Sequence, residues 1–186
     1  PELIPAELPG KWSAVEAAVF AAVNTNPSAA KQLLKVSKAS PDPDDSSSME
    51  TILGILWYDI FATNDAVAKL GGHPYDNSRR WYSGSNNDLR LNLKIGRFHA
   101  DNEALVNMGK GYTASGNLLG PLVTLHTTAD PIVPYWHETL YNIKALLSGS
   151  LLRHLNIPVV RYGHCQFSQN ELLTAFTILS YMAALE

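Results

Sequence analysis

The sequence has a single cysteine, Cys165, among 186 residues. One thiol excludes an internal disulfide framework and any metal site built from several cysteines, and it leaves the redox compartment open. Charge is also scarce, because charged side chains make up 17% of the chain, with 17 acidic against 14 basic residues. Since Lys and Arg form no block that could follow a phosphate backbone, we expect no nucleic-acid partner.

Long apolar runs are lacking as well. The longest helix-like apolar run near the start, residues 14–23, is far shorter than the ~20 residues that span a bilayer, so no membrane span is expected. Hydrophobic residues still make up 46% of the sequence, which is enough for a sizeable core. Because the first residue is Pro1 and no signal-like segment precedes it, we expect a processed or truncated polypeptide. The compartment stays undecided, with secretion of a processed chain as one option.

Helix start signals recur in the first part of the chain. Capping boxes at 13–16 and 47–50 predict the starts of an Ala/Val-rich helix and of a strongly apolar helix. Residues 26–27, Asn-Pro, predict the start of another helix between these two. Residues 63–72 predict a separate short helix with a polar cap and a Gly-Gly end, and residues 73–97 predict a loop-rich aromatic segment.

The chain after residue 120 alternates between strand and helix patterns. We predict strands over 122–125 and 157–162, a helix over 135–147, and a final helix opened by a capping box at 168–171. This β-α-β-α order predicts an α/β fold with parallel strands covered by helices. Because two parallel strands cannot bury their own faces, we expect a missing N-terminal part to complete the sheet.

Asp130 and His164 are the candidate catalytic residues. Each follows one of the two predicted strands, and the carboxyl ends of parallel strands are where reactive side chains converge. A carboxylate can hold a histidine in one tautomer, and the histidine can then take a proton from a nucleophile. The alternatives are structural, with Asp130 as a turn or N-cap residue and His164 as a loop histidine bonded to backbone.

Cys165 follows the candidate base directly. We expect its side chain to point away from His164, as neighbours on an extended loop do, and to be buried as a small apolar group. The other five histidines are expected to lack the carboxylate spacing that marks a zinc site, and adjacent His137 and Glu138 are expected to face apart, so no metal is predicted.

Aromatic and charged residues in the first half offer weaker candidates. Trp57, Tyr58, Trp81 and Tyr82 are candidates for a substrate pocket or, alternatively, for the core of their own region. Asp76, Arg79 and Arg80 are candidates for binding a charged substrate group. The alternative is that they form ordinary surface ion pairs.

Residues 127–138 and 162–171 resemble the acid loop and the histidine loop of the α/β-hydrolases. In that family Gly-His is often followed by Cys or a small residue, then by Phe-Ser/Thr and a Glu-capped helix. Residues 112–116 and 74–77 are similar to segments of bacterial esterase-like members. The resemblance implies a mainly helical cap over 1–108, of the kind inserted after the sixth strand, and the C-terminal core over 109–186, with the acid Asp130 before the base His164.

One element of that family is missing, since no serine stands in a G-x-S-x-G sequence. The serines considered, Ser83, Ser85, Ser115, Ser148 and Ser150, all lack a glycine two positions before them. We therefore expect a serine nucleophile on the N-terminal part of the same precursor or on a companion chain. The resemblance then implies hydrolysis of small carboxylic esters without a cofactor. A peptidase or amidase would use the same residues, and a noncatalytic ligand-binding or interaction module with a degenerate hydrolase fold is the alternative.

Overall fold

The computed structural model describes residues 4–45 and 48–185. Within these residues it contains seven α-helices, two short 3-10 segments and one parallel sheet of two strands. This mixed architecture with parallel strands confirms the coarse α/β prediction. The chain divides into two compact units, Pro1–Thr113 and Ala114–Glu186, called here the N-terminal and C-terminal units. The predicted division after residue 108 falls instead inside a helix, Asn102–Gly111.

The described part of the N-terminal unit is helical. Its small core is formed by Val23, Ala30, Leu34, Met49 and Ile52. Among the helices of residues 4–45 and 48–185, none combines the length and the apolar character that crossing a membrane would require. The elements of this unit are a 3-10 turn at Pro9–Lys11, α1 (Trp12–Thr25), α2 (Pro27–Ser37), α3 (Met49–Leu70), α4 (Asp88–Lys94) and α5 (Asn102–Gly111).

The helix starts of the N-terminal unit agree only in part with the sequence. Asn26 caps α2 as predicted, because its side chain accepts from the Ala29 N–H at 3.1 Å. The capping box expected at 13–16 is wrong: the 3-10 turn runs directly into α1, so Ser13 already lies inside the helix. The box expected at 47–50 includes position 47, which lies outside the described residues.

The separate helix predicted over 63–72 is also wrong, because α3 continues without a break to Leu70. The polar side chain of Asn64 is used elsewhere: it accepts from the Ile4 N–H at 2.9 Å and donates to the Ile4 carbonyl at 2.6 Å. An amide engaged in this way does not cap a new helix. Gly71 ends α3 in the left-handed conformation, at φ +74°, as the Gly-Gly pair predicted.

The segment predicted to be loop-rich, 73–97, contains one helix that the sequence analysis missed. α4 begins after Asn87, whose side chain accepts from the Arg90 N–H at 2.9 Å. Helix α4 has only seven residues and no buried one. Its apolar pattern is therefore weak, and the capping residue was the one local signal available.

The C-terminal unit is a β-α-β-α arrangement, as predicted, with strands longer than expected. The strands run parallel, with Leu122 opposite His154 at one end and Ala129 opposite Tyr162 at the other. Ser168 and Glu171 form the predicted capping box with both of its hydrogen bonds. The elements are β1 (Leu122–Ala129), α6 (Trp136–Leu147), a 3-10 turn at Leu151–Arg153, β2 (His154–Tyr162) and α7 (Gln169–Ala184).

Candidate active site

Asp130 and His164 lie just beyond the ends of the two parallel strands. Asp130 follows the last residue of β1, and His164 lies two residues beyond β2. A register irregularity near the end of β1 places Ala129 opposite Tyr162. The Gly163 N–H then donates to the Ala129 carbonyl at 3.3 Å, which continues the pairing for one more residue. The strand pairing therefore places both candidate residues at the same end of the sheet, beyond the C-terminal ends of its two strands.

The turn between β2 and His164 depends on Gly163. Its φ of +108° is a conformation that residues with a side chain rarely adopt, and an added Cβ would come 2.6 Å from Gln166 Cγ. The buried hydroxyl of Thr127 donates to the Gly163 carbonyl, which ties the turn to β1. The His164 loop is therefore fixed to the strand that carries the acid.

Asp130 uses its two carboxylate oxygens differently. Oδ1 accepts from the N–H groups of Ile132 at 2.8 Å and Val133 at 2.9 Å. Asp130 is therefore also a turn residue, as the structural alternative predicted. Oδ2 lies 2.8 Å from His164 Nδ1, which is the contact that a triad requires. The residue is only 3% exposed, and these three donors compensate for the water that burial removes.

The two ring nitrogens of His164 have different neighbours, because Nδ1 contacts Asp130 and Nε2 lies 3.6 Å from the Cys165 thiol. A carboxylate only accepts, so the 2.8 Å contact with Asp130 Oδ2 places a proton on Nδ1 and leaves the lone pair of the neutral ring on Nε2. The side chain is 44% exposed. The ring is thus oriented to take a proton at Nε2 from a group on its open side.

Cys165 does not lie where the sequence suggested. Its backbone adopts φ +52°, in the left-handed region, and this turns the side chain back toward its neighbour. Sγ lies 3.6 Å from His164 Nε2, and the thiol is exposed. The expectation of a buried side chain that points away from His164 is therefore wrong, because it assumed an extended backbone.

An ion pair that the sequence analysis missed joins the two elements on either side of the His164 loop, β2 and α7. Arg161, at the end of β2, contacts the Glu171 carboxylate at 3.0 and 3.1 Å and also donates to the Gln166 carbonyl. The Arg161 guanidinium, together with the N–H and hydroxyl of Ser168, lowers the pKa of Glu171 from 4.5 to about 2. No local spacing indicates this contact, since the partners are ten residues apart on a strand and a helix.

A second histidine contacts Asp130 from inside the unit. His126, buried on β1, has Nε2 2.8 Å from the Val133 carbonyl and 3.7 Å from Asp130 Oδ2. Its Nδ1 lies 3.0 Å from Glu138 Oε1 on α6. The expected lack of a carboxylate three or four residues away is wrong for His126, because Asp130 stands at i+4. The signal was present in the sequence, because positions 126 and 130 lie on the same face of an extended segment.

The four aromatic candidates all lie in the N-terminal unit, away in sequence from the Asp-His pair. Trp57 and Tyr58 contact each other edge to face at 5.2 Å, and Trp57 also stacks on Phe61 at 4.7 Å. Trp81 is 63% exposed. Two guanidinium groups lie near the Tyr82 ring. The Cζ atom of Arg80 is 5.5 Å and that of Arg97 is 5.7 Å from the ring centroid. A substrate role for these residues stays a prediction.

The charged candidates near them make local contacts. Asp76 accepts from the backbone and the hydroxyl of Ser78, which lowers the pKa of its carboxyl, and it lies 4.0 Å from His99.

In the described ranges 4–45 and 48–185, the His, Cys, Asp and Glu side chains form no group of three or more that could hold a metal ion. Comparison of the chain with protein-family models, with curated proteins and with solved structures finds no match.

Proposed function

We propose that this chain supplies the acid and the base of a serine hydrolase that cleaves carboxylic esters. The observation that carries the proposal is the 2.8 Å contact between buried Asp130 Oδ2 and His164 Nδ1 at the ends of adjacent parallel strands. The acid precedes the base in the chain with a helix between them, which is the order found in α/β-hydrolases. The resemblance of the two loops to that family agrees with this reading.

The proposed reaction is acyl transfer to water. His164 Nε2 takes the proton of a serine hydroxyl as its oxygen attacks the ester carbonyl, and Asp130 stabilises the imidazolium that forms. The imidazolium then gives the proton to the leaving alcohol. Water, deprotonated by the same nitrogen, releases the acid from the acyl-enzyme, and the serine regains its proton. Backbone N–H groups beside the serine would stabilise the oxyanion.

The surface of the C-terminal unit supports a serine carried on another part of the protein. The described sheet has only two strands, so β1 keeps one unpaired edge to which a further parallel strand can add. Large apolar side chains are left uncovered, with Leu147 82%, Leu152 96% and Val160 90% exposed. Parallel sheets are ordinarily covered on both faces. The unpaired edge of β1 and these uncovered side chains are both consistent with a further part of the protein that packs on this unit.

A fluorophosphonate probe, which reacts with activated serines, tests the proposal on the intact preparation. We expect it to label a serine outside these 186 residues, and we expect His164→Ala or Asp130→Asn to abolish the labelling. His99→Ala is the matched control, since this exposed histidine also faces an aspartate, at 4.0 Å, but in the N-terminal unit. Full esterase activity in His164→Ala would show that His164 is not the base. Absence of any labelled serine would favour a noncatalytic module or the second candidate below.

A second candidate function places the nucleophile in the chain itself. Cys165 Sγ lies 3.6 Å from His164 Nε2, so Cys165, His164 and Asp130 have the connectivity of a thiol triad. In that case His164 takes the thiol proton, sulfur attacks the ester carbonyl, and the carbon–oxygen bond breaks as the imidazolium protonates the leaving alcohol. Water, deprotonated by His164, then cleaves the thioester, and the thiol regains its proton. Loss of activity in Cys165→Ala, with acylation of Cys165 found by mass spectrometry, would support this candidate. Full activity in Cys165→Ala would exclude it and leave the serine proposal standing.

A further inference from the structure

The side chain of His126 is held at both nitrogens. The Val133 carbonyl, 2.8 Å from Nε2, can only accept, so Nε2 carries a proton. Glu138 Oε1 lies 3.0 Å from Nδ1, and Glu138 Oε2 accepts from the Thr124 hydroxyl at 2.9 Å. One proton therefore lies between Nδ1 and Oε1. The Nε2–H group of this ring lies 3.7 Å from Asp130 Oδ2.

The same contacts fix the loop that carries the acid. The Val133 carbonyl accepts from His126, while the Val133 N–H donates to Asp130 Oδ1 at 2.9 Å. The turn from Asp130 to Val133 is thereby attached to β1 through a ring that Glu138 of α6 holds in place. Loss of the ring would release the Val133 carbonyl and remove the N–H group that lies 3.7 Å from a carboxylate that is 3% exposed. The first change acts on the turn that donates to Asp130 Oδ1, and the second acts beside Oδ2, the oxygen that faces His164.

We infer that His126, oriented by Glu138, is a positioning residue for the Asp130–His164 pair. It does not contact the position of the reacting atoms, which lies beyond His164 Nε2. Its role is to hold the acid loop in place through the Val133 carbonyl and to place an N–H group beside the buried Asp130 carboxylate. This role rests on the proposed function, since the pair that it positions is the one proposed to be catalytic.

The proton position on His164 is the readout that separates positioning from general stability. In histidine-labelled protein, ¹⁵N chemical shifts report which ring nitrogen carries the proton. We expect a wild-type spectrum with His164 protonated on Nδ1 and a spectrum of Asp130→Asn with the proton moved to Nε2. His126→Gln should shift the His164 signals toward those of Asp130→Asn, with the slowly exchanging Nδ1 proton lost.

His154→Gln is the matched control. His154 is a buried histidine on β2 whose ring bonds to Asn142 at 2.8 Å and lies 3.2 Å from Thr124, in the same polar network but on the far side of Glu138 from Asp130. Its removal should lower the unfolding temperature without moving the His164 signals. Glu138→Gln, which keeps size and removes the charge, serves as the second variant if His126→Gln does not fold.

The outcomes are distinct from those of the labelling experiment. Folded His126→Gln and Glu138→Gln proteins that keep the wild-type His164 signals would overturn the positioning role, and so would an equal change in His154→Gln. Where the signals change but no serine is ever labelled, the serine hydrolase proposal fails while the positioning of the pair is upheld. In the active enzyme we expect both variants to lower kcat with little change in KM, because ground-state binding of the ester is untouched.

Discussion

Replacement of Asp130 by Asn tests the site most directly. The Asn carbonyl oxygen can still accept from the N–H groups of Ile132 and Val133, so the turn is retained. The Asn amino group then faces His164 Nδ1 at the position of Oδ2, 2.8 Å away. Because an amino group only donates, the ring must carry its proton on Nε2 instead, where it can no longer accept the proton of a nucleophile.

The expected loss is large because the tautomer is wrong while the geometry is kept. An acid-to-amide change in a triad lowers kcat by about 10⁴-fold, which corresponds to roughly 5 kcal/mol of activation free energy. The cost to folding is much smaller, since one hydrogen bond to a charged group contributes about 1.5–3 kcal/mol. Asp130→Asn should therefore give a folded protein with almost no turnover.

Hydrolysis of a chromogenic ester by the intact enzyme, with thermal unfolding measured in parallel, provides the assay. Asp88→Asn is the control, because the Asp88 carboxylate also accepts backbone N–H bonds, from Ser85 at 2.8 Å and from Gly84 at 3.1 Å, without facing a histidine. We expect kcat of the control to stay near the wild-type value. A kcat of Asp130→Asn within about tenfold of wild type would refute the assignment of Asp130 as the acid of a triad.

Two further predictions concern the folding of the C-terminal unit. Gly116→Ala and Gly149→Ala both place a Cβ at φ +76°. Only the former would meet backbone atoms of α6, with Ala145 N and the Lys144 carbonyl oxygen both at 2.6 Å, whereas the latter meets nothing within 4 Å. Urea unfolding should show a loss of about 1 kcal/mol for Gly149→Ala and about 3 kcal/mol or more for Gly116→Ala, and equal losses would contradict the steric reasoning. Because the pKa of Glu171 falls from 4.5 unfolded to about 2 folded, its stabilising contribution is complete above pH 4.5 and is lost as the pH falls toward 2. Urea midpoints followed over that range should decline less steeply in Glu171→Gln and in Arg161→Met, and unchanged slopes would show that the ion pair contributes nothing in solution.

Predictions from the sequence succeeded where a short segment carries its own signal. The caps at Asn26 and Ser168 were confirmed because each side chain bonds to a backbone N–H three residues ahead. The cap expected at Ser13 failed because the preceding residues already form a 3-10 turn. The break expected near Asn64 failed because a distant residue, Ile4, engages the amide. Such competition from elsewhere in the chain is invisible to a local pattern.

The same distinction applies to the candidate site. Short apolar runs indicated the two strands, and the polar residues after them, Asp130 and His164, could be named without coordinates. The position of the Cys165 thiol beside His164 could not be predicted. It depends on a left-handed backbone conformation at Cys165, which residues other than glycine rarely adopt.

The sequence by itself determined the order of strand and helix in the C-terminal unit and named Asp130 and His164 as the candidate acid and base, because strand patterns and capping are local properties. Only the tertiary structure decided that Asp130 lies 2.8 Å from His164 Nδ1, that the Cys165 thiol lies 3.6 Å from Nε2, and that His126 lies 3.7 Å from Asp130 Oδ2. The contact between Asp130 and His164 follows from the strand register, and register is set by hydrogen bonds between segments more than thirty residues apart.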